Sequence, residues 1–199
     1  MNRLLPFLLL TILLILTTSS GCKKGYEARY GPFYISSDTT VFYEGTSAGR
    51  IDKNFDKMIE DYPNIQSITF SSFCPGSIDD EALYKAGAKV RNNNIKTILT
   101  SESVVESGAV DLFISGASRS IESGAQIGVH SWSYGGGDDG ADLAEDHEDH
   151  QMYFDFYTEM FDDDSVGIAF YWFTLESASG DDIHYMTSDE IEHYELATE

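Results

Sequence analysis

The sequence predicts an α/β domain in which helices flank a mostly parallel sheet. Seven strand-like and helix-like patterns alternate between residues 39 and 130, beginning and ending with a strand. Alternation of this kind implies parallel strands, with sites at their carboxyl ends. The chain has 199 residues, a length that suits one domain with a full-sized core. We therefore predict a single domain over residues 38–199.

Each of these elements rests on a local pattern. Phe55, Met58 and Ile59 recur at helical spacing, and Pro63 ends the helix that contains them. The predicted strands are 39–43 (TTVFY), 65–70 (IQSITF), 96–99 (KTIL) and 126–130 (QIGVH), and the predicted helices are 51–62, 78–90 and the segment after Ser107.

The chain changes character after residue 132. A glycine- and acid-rich loop over residues 133–149 leads into aromatic-rich helical segments at 153–160 and 166–175. A turn at 179–182 precedes a final helix at 188–196, for which Ser188 is the predicted N-cap.

The N-terminus has the pattern of an export signal over residues 1–21. Arg3 supplies a positive charge, an apolar run follows, and small residues lead to Cys22. The ending resembles a bacterial lipoprotein cleavage box, which implies lipid attachment at Cys22 and a membrane-attached protein of the cell envelope, on its periplasmic or extracellular face. Plain secretion and an uncleaved anchor are the alternatives. Residues 22–37 are predicted to be a tether that grades into structure.

Charge and cysteine content exclude several classes of protein. The net charge is −22, and no Lys or Arg follows Arg119, although 21 of the 34 acidic residues do. Such a surface repels phosphate backbones, so we expect no nucleic-acid partner. Cys22 and Cys74 are the only cysteines. If Cys22 carries lipid, a disulfide framework is impossible, and Cys74 is predicted to be a small buried side chain.

A serine and a histidine stand where a nucleophilic site can form. Ser107 comes directly before a mostly apolar helical pattern, and His130 closes the next strand. A serine hydroxyl attacks only if a base takes its proton and donors hold the developing oxyanion. His130 is the best-placed base. The free amide of Gly108 at the helix start and that of Gly76 in a nearby loop are the predicted oxyanion donors.

Three motifs resemble the ClpP/crotonase-like superfamily, and within it the Clp-type serine peptidases. Those peptidases carry a Pro-Gly-Gly loop, then a serine that opens a helix ending in Ala-Gly-Ala, then a histidine on the following strand. Here the corresponding segments are 75–77 (PGS), 107–117 (SGAVDLFISGA) and 126–130 (QIGVH). The likeness covers the chain from residue 41 onward and is closest to exported, lipoprotein-like relatives. It implies the ClpP/crotonase-like fold, built from repeated ββα-type units.

The resemblance also implies roles for single residues. Ser107 becomes the nucleophile, His130 the base, and Gly76 and Gly108 the oxyanion amides. The segment after residue 185 is similar to the closing helix of the family, which follows its catalytic aspartate. The aligned position here is Ile183, so the acid must be Asp182, one residue earlier, or Asp181 in the same turn.

Simpler roles exist for the same residues. Ser107 could be an ordinary helix N-cap, His130 a histidine satisfied within the core, and residues 75–76 a plain turn. His147 and His150 with their acidic neighbours have the residue types of a metal site, but a solvated helix start is the favoured interpretation, so no metal and no cofactor is expected. The aromatic residues at 154–157 and 170–173 are interpreted as packing or as a surface for a second subunit in a homo-oligomer.

Three functions remain after these exclusions. The first is an exported serine hydrolase, peptidase-like, that acts on a peptide or other acyl substrate through an acyl-enzyme. The second is a catalytically inactive relative that serves as an envelope binding or scaffold protein. The third, an acyl-CoA enzyme, is the weakest, because no basic site exists for the phosphates of coenzyme A.

Overall fold

Two sheets and the helices between them form the domain in a computed structural model that describes residues 25–133 and 139–199. The ten strands found in these residues are β1 (Ala28–Tyr30), β2 (Phe33–Ser37), β3 (Thr40–Tyr43), β4 (Ser67–Phe70), β5 (Cys74–Pro75), β6 (Lys96–Leu99), β7 (Val104–Glu106), β8 (Arg119–Ile121), β9 (Gln126–Val129) and β10 (His184–Tyr185). The helices are α1 (Ile51–Asp61), α2 (Asp80–Asn92), α3 (Gly108–Ile114), α4 (Gln151–Met160), α5 (Asp164–Ser177) and α6 (Ser188–His193).

The larger sheet has six strands in the order β1-β2-β3-β4-β6-β8. Its β3, β4, β6 and β8 are parallel, whereas β1 and β2 add an antiparallel edge. Val41 and Tyr43 are fully buried and alternate with partly exposed neighbours, as expected of a strand with one face on the core. The α/β class and the mostly parallel sheet are confirmed.

A smaller sheet, in the order β10-β9-β7-β5, was not predicted as a separate layer. Its β5, β7 and β9 are parallel, and β10 runs antiparallel to β9. These strands have only two to four residues. Such segments are too short for a periodic pattern to reveal. When these short strands are included, the chain consists of ββα units, β4-β5-α2 and β6-β7-α3, followed by β8-β9.

Two local predictions need correction. The predicted tether reaches too far, because strands β1 and β2 lie within it and the side chains of Phe33 and Ile35 are fully buried. The folded domain therefore begins near residue 28, and residues 22–24 with the signal segment 1–21 lie outside the described residues. The final helix is capped by Thr187, whose hydroxyl accepts from the Glu190 amide while the Glu190 carboxylate accepts from the Thr187 amide. Ser188 is the first helical residue.

The aromatic-rich segments form the helices α4 and α5, which pack on each other, and α4 also packs on α2. Phe170 and Tyr171 are fully buried, and Tyr84 stacks on Phe156 with ring centroids 3.9 Å apart. Packing is thus the main use of these aromatic residues. The same helices close one side of the cavity described next.

No helix in the described ranges, 25–133 and 139–199, is long and apolar enough to cross a membrane.

Candidate active site

Three parallel strands of the smaller sheet end side by side. Pro75 of β5 pairs with Glu106 of β7, and Glu106 pairs with Gly128 of β9. The residues that follow these strand ends are therefore neighbours in space. The sheet register brings the Gly76 loop, Ser107 and His130 to one edge, which is where the sequence pattern predicts a site.

Ser107 is the only residue between strand β7 and helix α3, and its backbone is strained. Its φ is 53° and its ψ is −132°, a conformation that residues with a side chain rarely adopt. Its amide donates to Gly128 O at 2.9 Å, and its carbonyl accepts from Val110 N at 2.7 Å. A serine on a sharp strand-to-helix turn presents its hydroxyl away from the backbone, as the nucleophile of α/β-hydrolases does.

The Ser107 side chain does not cap the helix that it precedes. No side-chain capping hydrogen bond forms at this end of α3, in contrast to α2, where the Asp79 carboxylate accepts from Ala82 N at 3.0 Å. The simple N-cap role is therefore wrong for Ser107. Its hydroxyl remains available to other groups.

The loop after β5 lies against the serine. A Cβ placed on Gly76 would come within 3.1 Å of Ser107 Oγ and 3.8 Å of Gly108 N. A Cβ on Gly108 would in turn lie only 2.8 Å from Ser77 Cβ. Two glycines thus allow the two backbone segments to approach each other at the nucleophile.

The predicted oxyanion donor in this loop needs a correction of one residue. The Gly76 amide is already occupied, since it donates to Glu106 O at 2.8 Å as a continuation of the β5–β7 pairing. The Ser77 amide and the Gly108 amide donate to no acceptor within the described residues. Ser77 and Gly108, rather than Gly76 and Gly108, are therefore the pair of free backbone donors beside Ser107.

His130 lines the same cavity as Ser107, with its ring only partly buried. It is not a satisfied core histidine, because its Nδ1 atom is buried and has no hydrogen-bond partner among the described residues. Between His130 and Ser107 Oγ, both of which the structure describes, no hydrogen bond forms. Such bonds are often long in unliganded serine enzymes and shorten with substrate.

The predicted third member is not in contact with this histidine. Asp182 is exposed, and its carboxylate accepts from the amide of the next residue, Ile183, at 2.8 Å. Asp181 is exposed as well. The structure therefore brings Ser107 and His130 to one cavity but leaves the histidine without an orienting acid among the described residues.

The cavity beside Ser107 is small and polar. Its volume is ≈ 40 Å³, enough for a few water molecules. Two carboxylates and several aromatic rings stand among its walls, which consist of Asp80, Tyr84, Ser107, Gly108, Val110, Asp111, Val129, His130, Trp132, Tyr153, Tyr157, Tyr171 and Thr174.

Asp111 is a buried carboxyl group of this wall. Its carboxylate accepts from Tyr157 Oη at 2.7 Å and from Tyr84 Oη at 3.3 Å. Burial, the largest cause, and the nearby Asp80 carboxylate together raise the pKa of Asp111 to about 7, against the lowering effect of the two tyrosine hydrogen bonds. A carboxyl group that titrates near neutrality in a cavity is a marker of functional sites.

Sequence reasoning missed Asp80 and Asp111. One signal was present, because Asp111 is the single charged residue in the run SGAVDLFISGA, about one helical turn after the nucleophile candidate. A charge on the buried side of an apolar helix indicates a special environment. The tyrosines that face Asp111 come from other helices, so no local sequence pattern predicts their contact with it.

His147, His150 and Cys74 do not form a shared site. His147 Nδ1 accepts from the Asp149 amide at 3.3 Å, and His150 is fully buried among aromatic rings, so the two imidazoles do not converge. No group of potential metal ligands occurs in the part of the chain that the structure describes. Cys74 is buried with a free thiol, as predicted. Cys22 lies outside the described residues.

Comparison with solved structures finds proteases of similar fold. A serine-to-alanine mutant of the 1510-N membrane-bound stomatin-specific protease matches with a TM-score of 0.50 and 12% identity, over 80% of this chain and 76% of that one. A peptidase from Plasmodium falciparum matches with a TM-score of 0.49 and 11% identity, over 80% and 93%. At such identity the first match shows the fold alone, and the predicted ClpP-like fold is confirmed. No family model and no curated protein matches the chain.

Proposed function

We propose that the protein is a peptidase-like serine hydrolase in which Ser107 attacks an acyl carbonyl and His130 takes its proton. The strained backbone of Ser107 is the observation that carries this proposal. A residue held at positive φ between a strand and a helix costs about 1–3 kcal/mol, and such strain persists where function requires it. Here the strained serine is also the one whose hydroxyl caps nothing.

The proposed reaction proceeds in two steps. Ser107 Oγ bonds to the carbonyl carbon while its proton passes to His130, and the tetrahedral oxyanion receives hydrogen bonds from the amides of Ser77 and Gly108. The bond to the leaving group then breaks, and His130 protonates that group. Water, deprotonated by His130, releases the acyl group from Ser107 and restores the enzyme.

Labelling with a fluorophosphonate probe tests this proposal. We expect the folded protein to be labelled, Ser107→Ala to lose the label completely, and the exposed control Ser101→Ala to keep it. His130→Ala should reduce the labelling rate by about 100-fold or more with little change in thermal stability, because the base is lost but little packing is. Label that persists in Ser107→Ala, or a folded protein that takes no label, contradicts the proposal.

One observation favours a second candidate, an inactive binding protein with the same fold. His130 Nδ1 has no acid among the described residues to fix its tautomer, and loss of that orienting group severely impairs serine hydrolases. An inactive protein would take no label from the probe but would still bind acyl compounds at the cavity. Unlabelled but ligand-stabilised protein would therefore favour this alternative.

We also propose that the protein is exported and held at the membrane by lipid on Cys22. The sequence of residues 1–22 supports this proposal, in particular the apolar run and the small residues before the cysteine. Expression in a bacterial host should give membrane-associated protein that incorporates labelled fatty acid. Cys22→Ala should abolish the incorporation, whereas Cys74→Ala should retain it.

A further inference from the structure

The cavity beside Ser107 has its side-chain hydrogen-bond donors already in use. Tyr153 donates to Asp80 Oδ2 at 3.1 Å, and Tyr84 and Tyr157 both donate to Asp111. Trp132 Nε1 donates to Tyr171 Oη at 2.9 Å, and Thr174 Oγ1 donates to Tyr171 O at 2.7 Å. The Tyr171 hydroxyl is paired with His150 Nδ1 at 2.5 Å.

This hydrogen bonding leaves the cavity with acceptors and aromatic faces. Outside Ser107 and His130, the described side chains of the wall offer a ligand carboxylate oxygens, hydroxyl lone pairs and the π-faces of tyrosine and tryptophan rings. A neutral acceptor such as a carbonyl would find no side-chain donor in this part of the wall. A group that only donates fits such a wall, and an ammonium group has three donors and no acceptor.

The cavity also lacks a positive charge of its own. No Lys or Arg is among its described lining residues. Arg91 and Arg119 both donate to the carbonyls of Ile114 and Met160, at the far ends of α3 and α4 from the nucleophile. The two carboxylates in the wall are therefore satisfied by neutral hydroxyl groups and not by ion pairs.

We propose that this cavity is the acyl-side-chain pocket of the Ser107 site and that it takes a primary ammonium group at the end of an unbranched, lysine-like chain. The placement of the pocket beside a nucleophile rests on the proposed function. The preference for a cation rests on the wall itself. Aromatic faces add to it, because a cation over a tyrosine or tryptophan ring is attracted to the ring quadrupole.

The geometry of the donors distinguishes an ammonium from a guanidinium. A volume of ≈ 40 Å³ holds a few atoms of the size of water, which limits the ligand group to a small cationic head. The guanidinium of arginine holds its donors in one rigid plane and needs acceptors placed to match, whereas the three donors of an ammonium rotate to reach acceptors on different helices. Lysine-like side chains are thus preferred to arginine-like ones.

Protonation of Asp111 should control the binding of the cation. The groups that face Asp111 are Tyr84 and Asp80 from α2 and Tyr157 and Tyr153 from α4, and His130 stands at the same cavity. Because the pKa of Asp111 is raised, the empty pocket carries less negative charge as the pH falls below neutrality. Cation binding should therefore weaken at acidic pH.

A binding measurement tests the preference without catalysis. In the Ser107→Ala variant at about pH 8, n-butylammonium should bind at least about 10-fold more tightly than 1-butanol, and its affinity should fall several-fold by about pH 5.5. Asp111→Asn in the same background should remove the preference. Asp146→Asn, which removes one exposed charge outside the cavity, should retain it and so control for general attraction to an acidic surface.

The outcomes of that measurement separate the possibilities. Equal binding of the alcohol, no binding of either compound, or an equal loss in Asp146→Asn would overturn the inference. If Asp111→Asn does not fold, Asp80→Asn serves in its place, with the same preference for the cation expected to weaken. None of these results depends on whether Ser107 is reactive.

Reactive probes then link the pocket to the nucleophile. Diphenyl phosphonates with a lysine-like side chain should label Ser107 at least about 10-fold faster than those with a norleucine-like or an arginine-like side chain. If the small fluorophosphonate labels Ser107 but the diphenyl phosphonates show no preference among the side chains, the proposed pocket is refuted and the proposed hydrolase activity stands. Absence of all labelling, with butylammonium bound, refutes the hydrolase and keeps the cation pocket.

Discussion

The two walls of the Ser107 cavity are built in different ways. One wall consists of the strand ends that carry Ser107 and His130, and its geometry is set by backbone pairing between short parallel strands. The other wall consists of helices α2, α3, α4 and α5, whose side chains place Asp111 and Tyr157 in contact. In the proposed function, the first wall supplies the reacting groups, and the second supplies the chemical environment that selects the substrate.

This difference in construction leads to a difference in tolerance. A backbone wall depends on close approach of main-chain atoms, so even one added carbon displaces its amides. A side-chain wall can lose one hydroxyl and keep its shape. We therefore expect the largest effects from changes at the strand ends and smaller effects from changes among the helices.

The largest effect is expected from Gly108→Ala. The new Cβ would lie 2.8 Å from both Ser77 Cβ and Leu83 Cδ2, so the two proposed oxyanion amides must move apart. Fluorophosphonate labelling should slow by at least about 100-fold, or ~2.7 kcal/mol in the barrier. Gly25→Ala, where nothing lies within 4 Å, is the matched control and should label at the normal rate. Normal labelling of Gly108→Ala would show that these amides take no part.

The strand-end wall is largely predictable from the sequence. The spacing of Ser107 and His130, together with the glycines at 76 and 108, is enough to place these two side chains at one edge of a parallel sheet. The error of one residue at the oxyanion loop has a physical cause, because β5 has only two residues. Its pairing with β7 consumes the Gly76 amide, and no pattern in a two-residue strand shows where pairing ends.

A second prediction concerns the stability of the helix wall. The folded pKa of Asp111, about 7, lies above its ordinary value of 3.8, so the folded state binds its proton more tightly than the unfolded state does. Stability due to this group is complete below about pH 4 and is lost as the pH rises to about 7. Asp111→Asn removes the cost of burying an ionised carboxylate at pH 8, but the new amide is imperfectly hydrogen-bonded and offsets part of this gain. We therefore expect the free energy of unfolding to rise by about 2 kcal/mol at pH 8.

Thermal unfolding at several pH values measures this effect. The difference in the free energy of unfolding between Asp111→Asn and the parent protein should shrink or reverse at about pH 4.5, where Asp111 is protonated in the folded state. Asp146→Asn controls for the removal of one negative charge from a chain of net charge −22. A pH-independent difference would mean that Asp111 is ionised throughout.

A smaller effect is expected from Tyr157→Phe. Its hydroxyl donates to Asp111 at 2.7 Å and holds down the pKa of that carboxyl group. Loss of this bond should lower the free energy of unfolding by about 1 kcal/mol more at pH 8 than at pH 5, because the ionised carboxylate needs the donor more. Tyr84→Phe removes a longer hydrogen bond of 3.3 Å. It should also lower the free energy of unfolding more at pH 8 than at pH 5, but by a smaller amount. Equal effects at both pH values would exclude this coupling.

The helix wall was not predictable because its parts are far apart in the chain. Tyr84 and Asp111 are separated by 27 residues, and Asp111 and Tyr157 by 46. Helical periodicity marks the tyrosines as apolar positions and reports nothing about their hydroxyl groups. Only the packing of α4 on α2 and α3 reveals that these hydroxyls meet one carboxylate.

The smallest effect is expected at Asp182, where sequence and structure diverge. The resemblance to Clp-type peptidases aligns the acid with Ile183, so the prediction moves it one residue to Asp182, with Asp181 as the alternative; loss of such an acid lowers activity by about 10⁴-fold. In the structure the Asp182 carboxylate is exposed and accepts from the Ile183 amide, while His130 Nδ1 has no partner among the described residues. Asp182→Asn and Asp181→Asn should therefore each change the labelling rate by less than about 2-fold, with the exposed Asp146→Asn as the control. A large loss confined to Asp182→Asn would mean that the turn rearranges to complete the site when substrate binds.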